Sequence, residues 1–301
     1  MLFRQLEYFV AVADERHFAR AAEACYASQP ALSAGLARLE EELGVALVKR
    51  GHSFQGLTPE GERLVPWARE LLHGHQQFKA EAKAMTLDVG GTLRLCIGPT
   101  AAAVSALPVQ AFCAAHPQVR VRLVEGLSAQ EIQRRLREFE FGAAIAYLPP
   151  GFRDGLDIRP LYTDRYVLVA TADLVPQETD SLTWVEAAAL PLIMLGGQMR
   201  LRSLIDEAFA GQGLAAVPRI EADSIAALTA YAETGQWASV LPHTCLPHDP
   251  GPLRMIPLTD PAVTADIVLA TASDAREWAI TRAFTAAATG LGLGRRLRFA
   301  G

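Results

Sequence analysis

Between residues 17 and 43 the chain carries two apolar periodicities separated by a break, and this stretch constrains the fold more than any other. Starting from Phe18, apolar residues recur at i, i+3, i+4 and i+7, and four leucines starting from Leu32 are spaced by 4, 3 and 4 residues. Both spacings place the apolar side chains on one face of a helix. Ser28 can cap the second helix with its hydroxyl, and Pro30 fits in the first turn, where a missing N–H costs nothing. Two helices joined by a tight turn form a helix-turn-helix pattern.

The opposite face of the second predicted helix carries small and polar side chains. Small side chains let a helix approach a surface closely, and the major groove of DNA admits one helix. Gln29 can pair with an adenine edge, Ser33 with several bases and Arg38 with a phosphate. A helical hairpin packed inside a larger core is the alternative interpretation. The face consists of Pro30, Ser33, Ala34, Ala37 and Glu41, flanked by Gln29 and Arg38.

The charge of the N-terminal segment restricts how it can bind DNA. Residues 1–60 contain six Lys or Arg and eight Asp or Glu, whereas a DNA-binding domain usually has a basic surface. DNA binding therefore requires the charges to separate by face, with glutamates 40–42 turned away. The contacts predicted on the DNA side are Arg20, Ser28, Gln29, Pro30, Ser33, Ala34, Arg38, Lys49 and Arg50.

Two further elements extend the helix pair. An apolar stripe between Leu2 and Ala13 predicts a first helix that completes a three-helix core. Gly44 ends the second helix of the pair. The glycine-containing basic segment 49–57 then predicts a hairpin, a wing lying on the DNA backbone, for which an ordinary surface turn is the alternative.

A long helix is predicted to begin at Thr58-Pro59-Glu60, where a cap, a proline and an acid follow one another. Its seam residues are spaced alternately by 4 and 3, which is typical of helix pairing in a coiled coil. A helix through Asp88 would be roughly 45 Å long, and we expect it to dimerise; packing within its own domain is the alternative. Gly90-Gly91 marks the domain boundary. The seam consists of Leu64, Ala68, Leu71, His75, Phe78, Ala82 and Met85.

From Thr92 onwards strand and helix patterns alternate, which predicts parallel α/β units. In such sheets ligands bind at the carboxyl ends of strands, beside helix N-termini. Thr100 and Ser128 hold that position after two successive strands, where each can bind a small anion; the alternative is that both only cap helices. The predicted strands are 93–97, 119–125, 143–147, 166–172, 240–241 and 267–270, and the predicted helices end at 112 and 137 or span 184–188, 201–210, 225–233 and 277–288.

Taken together, these features resemble the LysR-type transcriptional regulators over essentially the whole chain. The resemblance lies in the order of the elements and in specific motifs. These motifs are Phe9-Val10-Ala11-Val12-Ala13, Phe18 with Ala21-Ala22, Ser28-Gln29-Pro30-Ala31-Leu32-Ser33, Leu39-Glu40-Glu41-Glu42-Leu43-Gly44, Arg50, Leu57-Thr58-Pro59-Glu60-Gly61 and, more loosely, Pro160-Leu161-Tyr162 and Leu241-Pro242.

The resemblance implies a multidomain α and α/β chain that is an effector-responsive bacterial transcriptional regulator and not an enzyme. It implies an N-terminal winged helix-turn-helix, a long linker helix and a C-terminal two-lobed α/β effector domain similar to the type 2 periplasmic binding proteins. Crossovers between lobes are implied near Thr163–Asp164 and Asp266–Val268. The implied domains are 1–58 for DNA binding, 59–89 for the dimerisation helix and 90–301 for the effector domain, with lobe I at 90–163 and 268–301 and lobe II at 164–267.

The resemblance also implies partners and a ligand. Double-stranded promoter DNA, further copies of the chain in a dimer or tetramer, and RNA polymerase would be its partners. A small, anionic effector would occupy the cleft between the lobes, and no cofactor or metal is implied. The implied effector contacts are Thr100, Ala101, Ser128, Gln198, Arg202 and Trp237, with Gly196, Gly197 and Arg200 nearby.

Two positions depart from the family pattern. Gly142 stands before a predicted strand where the family often has Asp, and Trp237 stands where a second glycine usually follows Gly235. A tryptophan there can fill part of the cleft or stack on an aromatic effector. The effector identity of other family members therefore cannot be carried over to this chain.

Other function classes find less support in the residues. A thiol-based redox sensor would use Cys96 and Cys113, but both fall in predicted core positions. The sequence His243-x-Cys245-x-x-His248 lacks a fourth spaced metal ligand. The glycines at 290, 292 and 294 leave no room for a βαβ nucleotide-binding unit. A solute-binding protein would not need the first 90 residues.

Length and composition set the remaining bounds. The 301 residues allow one large domain or two to three smaller ones. The N-terminus lacks the apolar segment of a signal peptide, and no run approaches the ~18 apolar residues that span a membrane. The four cysteines show no C-x-x-C spacing. We therefore expect a cytoplasmic protein without a membrane partner.

Overall fold

The computed structural model describes residues 1–49, 54–84, 91–197, 200–246, 250–273 and 278–299. The predicted site residues Arg50, Met85 and Gln198 lie outside these ranges. The chain divides into two compact units, one formed by 1–90 with 134–141 and the other by 91–133 with 142–301. None of the described helices is long and apolar enough to cross a membrane.

Three helices form the start of the N-terminal unit, as predicted. They are α1 (Phe3–Glu15), α2 (Phe18–Ala24) and α3 (Gln29–Leu43). The Ser28 hydroxyl accepts a hydrogen bond from the Ala31 N–H at 3.4 Å, and Gly44 ends α3 with a φ of 70°. The core consists of apolar side chains from all three helices, each stabilising the fold by about 1.5–3 kcal/mol on burial. Its largest contributors are Leu6, Phe9, Val12, Leu32, Leu36 and Leu39.

Helix α3 packs closely on α1 because it has a glycine at the contact. A Cβ atom added to Gly35 would lie 2.7 Å from the Tyr8 ring. The Tyr8 side chain is buried. The packing of Tyr8 against Gly35 therefore fixes the position of α3 on its inner side, whereas the small residues of the opposite side remain exposed.

The predicted hairpin after α3 is confirmed at its two ends. Val48 pairs with Leu57 in an antiparallel bridge, and the Lys49 N–H donates to the Gly56 carbonyl at 3.0 Å. The Glu40 carboxylate accepts hydrogen bonds from the N–H groups of Leu47 (2.7 Å) and Val48 (3.1 Å). One glutamate of α3 thus positions the first strand of the hairpin.

The long helix α4 spans Pro59–Ala84, and its predicted start is confirmed. The Thr58 hydroxyl accepts from the Gly61 N–H at 2.9 Å and donates to the Ala46 carbonyl at 2.6 Å. The Thr58 N–H donates to the Leu47 carbonyl at 3.0 Å. A Cβ atom on Gly61 would lie 2.1 Å from the same Leu47 oxygen. Only glycine therefore allows the first turn of α4 to lie against the hairpin.

The predicted seam of α4 divides into two parts. Ala68 is buried in the N-terminal unit, and the His75 ring stacks on Phe3 with 3.8 Å between ring centroids. Leu71 and Phe78 are exposed by 46% and 75%. Ala68 and His75 thus pack within the unit, whereas Leu71 and Phe78, which alternate with them along the helix, remain available to a partner. Dimerisation through these exposed side chains stays a prediction.

The second unit contains ten strands among its described residues. The strands are β1 (Gly91–Ile97), β2 (Val119–Val124), β3 (Ala143–Tyr147), β4 (Leu156–Thr171), β5 (Leu182–Thr183), β6 (Ile193–Leu195), β7 (Ile220–Ala222), β8 (Ser239–Pro242), β9 (Leu253–Thr259) and β10 (Thr264–Ala272). The helices are α5 (Ala102–Ala115), α6 (Ala129–Arg137), α7 (Trp184–Ala188), α8 (Arg200–Gly211), α9 (Ile225–Glu233), α10 (Ala279–Gly290) and α11 (Leu293–Arg296), with short 3-10 turns at Pro99–Ala101, Pro150–Phe152 and His243–Cys245.

The strand order is β2-β1-β3-β10-β4-β9-β5, with β8 also paired to β4 and with β6 and β7 in a separate two-stranded sheet. Strand β1 is parallel to β2 and β3, whereas β10 is antiparallel to β3 and β4. Strand β4 pairs with β10 up to Arg165 and with β8 and β9 from Tyr166 onwards. One strand therefore continues from the first part of the domain into the second, where a large apolar core surrounds Trp184 and Phe209.

All six predicted strands of this unit are found, and β3, α7 and α9 have the predicted bounds. Strands β5, β6, β7 and β9, the first half of β4, and α11 were not predicted. Strands of two or three residues are too short to show alternation. Both β9 and the first half of β4 contain a proline, Pro257 and Pro160, which in a sequence argues against a strand.

The contact between Gly61 and Leu47 generates a stability prediction. Gly61→Ala should lower the free energy of unfolding of the N-terminal unit by about 1–3 kcal/mol, because the new methyl group must displace α4 from the hairpin. Gly74→Ala is the matched control, since it lies in α4 with nothing within 4 Å of its Cβ position, and it should stabilise the helix by about 0.5–1 kcal/mol. Thermal and urea unfolding measure both variants. Equal stability of the two variants would contradict the contact.

Candidate nucleic-acid interface and ligand cavity

The outward side of α3 presents the side chains predicted to contact DNA. Leu32, Leu36 and Leu39 are buried on the inner side, whereas Leu43 at the end of the helix is 42% exposed. Arg38 is exposed and has no carboxylate partner within salt-bridge distance among the described residues. The exposed residues are Ser28, Gln29, Pro30, Ser33, Ala34, Ala37 and Arg38.

The charges around α3 separate only in part. Glu40 is half-buried against the hairpin, and Glu42 pairs with the N-terminal ammonium group. Glu41, however, is exposed and follows Arg38 by three residues, so helical spacing places it on the same side. Arg20 contacts Glu15 through its Nε atom, 3.5 Å from Oε2. Arg38 and Lys49 are therefore the exposed cations of this surface without a carboxylate partner among the residues described.

Tyr26 is a candidate contact that the sequence analysis missed. It lies in the turn between α2 and α3, it is 96% exposed, and its φ of 51° is in the left-handed region. Its phenol hydroxyl can donate a hydrogen bond to a phosphate oxygen. This contact could have been predicted from the sequence, because Tyr26 lies two residues before Ser28, the predicted cap of the second helix.

A cavity of about 640 Å³ opens in the second unit at the ends of several strands. Its lining comes from the segments that follow β1, β2, β7 and β8, so that both halves of the domain contribute. We expect ligands of α/β sheets at the carboxyl ends of strands beside helix N-termini, and the cavity lies at such a position. The lining residues are Pro99, Thr100, Ala102, Ala103, Glu125, Gly126, Asp223, Ser224, Ile225, Ala226, Thr229 and Cys245.

Thr100 is the predicted effector residue that lines this cavity. It is only 3% exposed, and its carbonyl oxygen accepts a contact from the Cys245 thiol at 3.8 Å. Its position in the lining makes its hydroxyl a candidate hydrogen-bonding group for a ligand.

Two carboxylates, Glu125 and Asp223, also line the cavity, and none of the lining residues described is Arg, Lys or His. Neither acid was predicted from the sequence. Glu125 stood at the end of an alternating strand, and Asp223 followed a strand too short to predict. An anionic effector would favour cationic side chains in the lining, whereas the charged side chains found there are both carboxylates.

The other predicted effector residues that the structure describes are not among the lining residues. Ser128 is exposed and caps α6, with its hydroxyl 3.2 Å from the Glu131 N–H. Ala101 is fully buried. Trp237 packs against the apolar core around Trp184. Any contact of these residues with an effector stays a prediction.

The guanidinium group of Arg202 has protein partners on several sides. It donates to Asp206 at 2.7 Å, to Glu221 at 2.8 Å and to the Leu195 carbonyl at 2.8 Å. Asp206 and Glu221 raise the pKa of Arg202, against the opposing effect of burial. These contacts join α8, β6 and β7, so Arg202 has a structural role in this arrangement.

A buried polar cluster lies where β4 changes partners. Asp164 is fully buried, and its Oδ1 atom accepts from the Thr244 hydroxyl at 2.5 Å. Its Oδ2 atom and the Tyr166 hydroxyl have no partner among the described residues. Burial raises the pKa of Asp164 to about 7. Burial, with a smaller contribution from Asp164, also raises the pKa of the Cys245 thiol well above its ordinary range.

No metal-binding group of three His, Cys, Asp or Glu side chains occurs among the described residues. His248, one member of the His-x-Cys-x-x-His sequence, lies outside them. His243 has both ring nitrogens engaged, since Nδ1 accepts from the Arg165 N–H at 3.1 Å and Nε2 is 2.7 Å from the Leu297 carbonyl.

Two family models match the chain. The model described as "Bacterial regulatory helix-turn-helix protein, lysR family" matches residues 3–62, and the model described as "LysR substrate binding domain" matches residues 88–291. The first match lies in the N-terminal unit, and the second covers most of the second unit.

Curated relatives match over long parts of the chain. HTH-type transcriptional regulator BbuR of Bordetella bronchiseptica is 33% identical over 233 residues, which are 76% of this chain and 70% of that protein. Nitrogen assimilation regulatory protein nac of Escherichia coli is 31% identical over 249 residues, 81% of this chain and 79% of that protein. The probable hydrogen peroxide-inducible genes activator of Mycobacterium xenopi is 38% identical over 164 residues, 54% of this chain and 86% of that protein.

Solved structures share the whole fold. A full-length OxyR variant from Pseudomonas aeruginosa aligns with a TM-score of 0.76 and 25% identity, covering 100% of this chain and 98% of that one. Full-length CbnR in complex with its target DNA aligns with a TM-score of 0.69 and 20% identity, covering 98% of this chain and 99% of that one. The second similarity supports the architecture alone.

The buried carboxyl group generates a prediction about pH. The pKa of Asp164 is about 7 in the folded chain, above its ordinary value of 3.8, so between these values the folded state holds a proton that the unfolded state has lost. The free energy of unfolding must therefore fall as pH rises through this window. Asp164→Asn cannot ionise, so its stability relative to the unmodified chain should rise from pH 4 to pH 7, by up to about 4 kcal/mol, and stay constant above pH 8.

Thermal unfolding between pH 4 and pH 9 without ligand measures this difference. Asp180→Asn is the control, since Asp180 is exposed and lies outside the cavity lining. Parallel pH profiles for Asp164→Asn and Asp180→Asn would show that Asp164 does not hold a proton in the folded chain.

Proposed function

The chain belongs to the LysR family of transcriptional regulators, and on this premise we propose that it reads promoter DNA with the outward side of α3 and responds to a small molecule bound in the cavity of its second unit. The family consists of DNA-binding regulators with an effector-binding domain, and enzymes are not part of it. The proposal of DNA binding rests on the exposed side of α3 with its small and polar side chains. The effector part rests on the cavity at the carboxyl ends of β1 and β2, where Thr100 belongs to the lining.

DNA recognition is assigned to a small set of side chains. Gln29 would read a base edge and Ser33 a second one, while Arg38 contacts a phosphate. The small residues Ala34 and Ala37 let the backbone approach the groove. The hairpin after α3 would lie on the neighbouring backbone with Lys49, and Arg50 stays a predicted contact outside the described residues.

Two copies of the chain would bind together through α4. The exposed side chains of Leu71 and Phe78 supply the apolar surface for pairing, with Trp67 beside them at 63% exposure. A dimer, or a tetramer of two dimers, would place two α3 helices in successive major grooves about 34 Å apart. RNA polymerase is a further proposed partner. The proposed domains are residues 1–58, 59–89 and 90–301, with lobe II at 164–267.

The peroxide-inducible activators among the relatives raise a second candidate, a thiol-based redox sensor. Peroxide oxidises thiolates that are exposed and have a low pKa. Cys96 is fully buried in β1, and burial raises the pKa of Cys245. Cys113 is half-buried in α5. Because Cys96 is fully buried and Cys113 is only partly accessible, the small-molecule proposal is preferred.

Base reading by Gln29 is tested with DNA selected by the full chain from genomic fragments. Gln29→Ala should weaken binding to the selected sequence by about 5- to 100-fold and to a scrambled duplex much less, because one base contact is worth about 1–3 kcal/mol. Arg38→Ala, like Arg50→Ala, should weaken both duplexes alike and reduce the salt slope by about 1. Fluorescence anisotropy at several salt concentrations measures this. Equal loss on both duplexes in Gln29→Ala would remove the base-reading role.

The redox candidate makes a different prediction. If the chain responds to a small molecule and not to oxidation, hydrogen peroxide should leave promoter binding by the unmodified chain unchanged, and Cys113→Ser and Cys96→Ser should bind like it. Electrophoretic mobility of the promoter complex after peroxide treatment measures this. A peroxide effect that Cys113→Ser abolishes would establish the thiol function instead.

A further inference from the structure

A second cavity, of about 540 Å³, opens in the second unit beside the point where β4 changes partners. Strands β4 and β10, the 3-10 turn after β8 and the C-terminal segment contribute to its lining, and we call it the crossover pocket. It shares no described lining residue with the first cavity. Its lining includes Leu161, Arg165, His243, Asp266, Arg298 and Phe299.

The crossover pocket is separate from the first cavity. Successive side chains of a strand point to opposite faces of the sheet, and Arg165 directly follows Asp164 in β4. The Asp164 carboxylate accepts a hydrogen bond from Thr244, the neighbour of Cys245 in the lining of the first cavity. The Arg165 side chain therefore points away from the first cavity.

Two arginines bring positive charge to the crossover pocket. The guanidinium carbon of Arg165 lies 5.4 Å from the centroid of the Phe299 ring. The Arg165 Nε atom is buried and has no hydrogen-bond partner in the described part of the chain. Neither Arg165 nor Arg298 forms an ion pair with a described carboxylate. Because a buried donor without a partner costs free energy, Arg165 favours an acceptor from a ligand.

His243 holds the C-terminal segment against β4. Its Nδ1 atom accepts a hydrogen bond from the Arg165 N–H at 3.1 Å, and its Nε2 atom is 2.7 Å from the Leu297 carbonyl oxygen. Its ring packs edge-on against Phe299, with 5.4 Å between the centroids. Since an accepting Nδ1 atom carries no proton, Nε2 is the donor and the ring is neutral. These contacts place Arg298, which lies between Leu297 and Phe299, at the pocket.

The charge of the crossover pocket favours a monoanion. Asp266 is the one carboxylate among its described lining residues, and it accepts a hydrogen bond from the Thr163 hydroxyl at 2.8 Å. Two arginines, one aspartate and a neutral histidine leave the lining with a net charge of +1. Residues 291–301 also contain Arg295 and Arg296 and no acid, so the neighbouring surface adds to the positive potential.

An apolar wall completes the crossover pocket. Pro160, Leu161 and Phe299 belong to it, and Leu161 is only 8% exposed. Small-molecule sites commonly combine such a wall with a few polar groups that fix the orientation of the ligand. A ligand therefore gains free energy here from an apolar body as well as from its charge.

We infer that the crossover pocket binds a small carboxylate with an apolar body. The carboxylate lies between Arg165 and Arg298, since a guanidinium group donates paired hydrogen bonds to a carboxylate. The apolar body packs on Leu161 and Phe299. A volume of about 540 Å³ is within the range of small-molecule sites. This inference goes beyond the proposed function and does not depend on it, because the first cavity contributes no residue to the pocket.

Other ligand classes match the lining less well. A phosphate monoester carries a charge of about −1.5 to −2 near pH 7, so it would leave excess negative charge beside Asp266. An amine would be repelled by the two arginines. An uncharged alcohol would pack on the apolar wall but would leave both guanidinium charges without a counterion.

Matched probes on the full chain test the ligand class. Hexanoate is titrated by calorimetry beside hexan-1-ol, hexylamine, acetate and hexyl phosphate. It should bind about tenfold or more tightly than the alcohol and the amine, which lack the negative charge, and than acetate, which lacks the apolar body. It should also bind more tightly than hexyl phosphate. Equal affinity for hexan-1-ol, tighter binding of hexyl phosphate, or no binding of hexanoate would overturn the inference.

Arginine variants locate the site. Arg165→Gln and Arg298→Gln should each lower the affinity for hexanoate about fivefold or more. Arg296→Gln is the matched control and should leave the affinity unchanged, since Arg296 is exposed and does not belong to the lining. Thr100→Val, in the first cavity, should also leave it unchanged. Thermal unfolding confirms that each variant is folded, and a loss of binding in Thr100→Val but in neither Arg165→Gln nor Arg298→Gln would overturn the inference.

Asp266→Asn tests the sign of the charge. The asparagine oxygen can still accept from the Thr163 hydroxyl, whereas the side chain no longer repels an anion. The affinity for hexanoate should therefore rise about twofold or more. A lower affinity in Asp266→Asn, or an unchanged affinity in both Arg165→Gln and Arg298→Gln, would show that the anion does not bind in this pocket.

Discussion

The antiparallel pairing of β4 with β10 connects most of the strands whose ends line the cavity. Strand β4 leaves β10 at Arg165 and joins β8 and β9 from Tyr166, so one uninterrupted strand belongs to the sheets of both lobes. A hydrogen bond of 2.8 Å between the Thr163 hydroxyl and Asp266 fixes the register beside this change of partners. Three of the four lining segments follow strands of this sheet, β1, β2 and β8, whereas β7 pairs only with β6. Because β4 is shared by the two lobes, we expect a relative motion of the lobes to bend this strand.

Much of the fold was predictable because its signals are local. The cap at Ser28, the glycine at 44 and the Thr58-Pro59 start each act within one helical turn, and the structure confirms all three. Positions that depend on distant contacts were not predictable. Gly142 is an example: a Cβ there would lie 2.7 Å from the Leu93 side chain and 3.0 Å from the Thr281 hydroxyl, so the Asp common in the family does not fit without a shift.

The cavity was predictable only in its location. The carboxyl ends of strands and Thr100 followed from the α/β pattern, but Glu125 and Asp223 are about one hundred residues apart and meet only through the tertiary fold. Arg202 shows the reverse case, since its charge suggested an anion site, whereas Glu221 on β7 and Asp206 on α8 engage it within the protein. In the N-terminal unit, Glu40 positions the hairpin, and the unit has more acidic than basic residues. We therefore expect affinity for DNA to come from exposed cations such as Arg38 and Lys49 and from the pairing of two chains.

The central claim is that one chain couples a DNA-reading surface to a ligand cavity. Linkage makes this measurable in both directions, because a ligand that changes the affinity for DNA by some factor must have its own affinity changed by DNA by the same factor. The direct measurement titrates the full chain with selected promoter DNA, with and without a saturating small molecule that binds the cavity, and then with that small molecule, with and without DNA. We expect each affinity to change by a factor of about 5 to 150, equal in both directions. A factor of one in both titrations would show that the cavity and the DNA surface are independent and would contradict the proposed coupling.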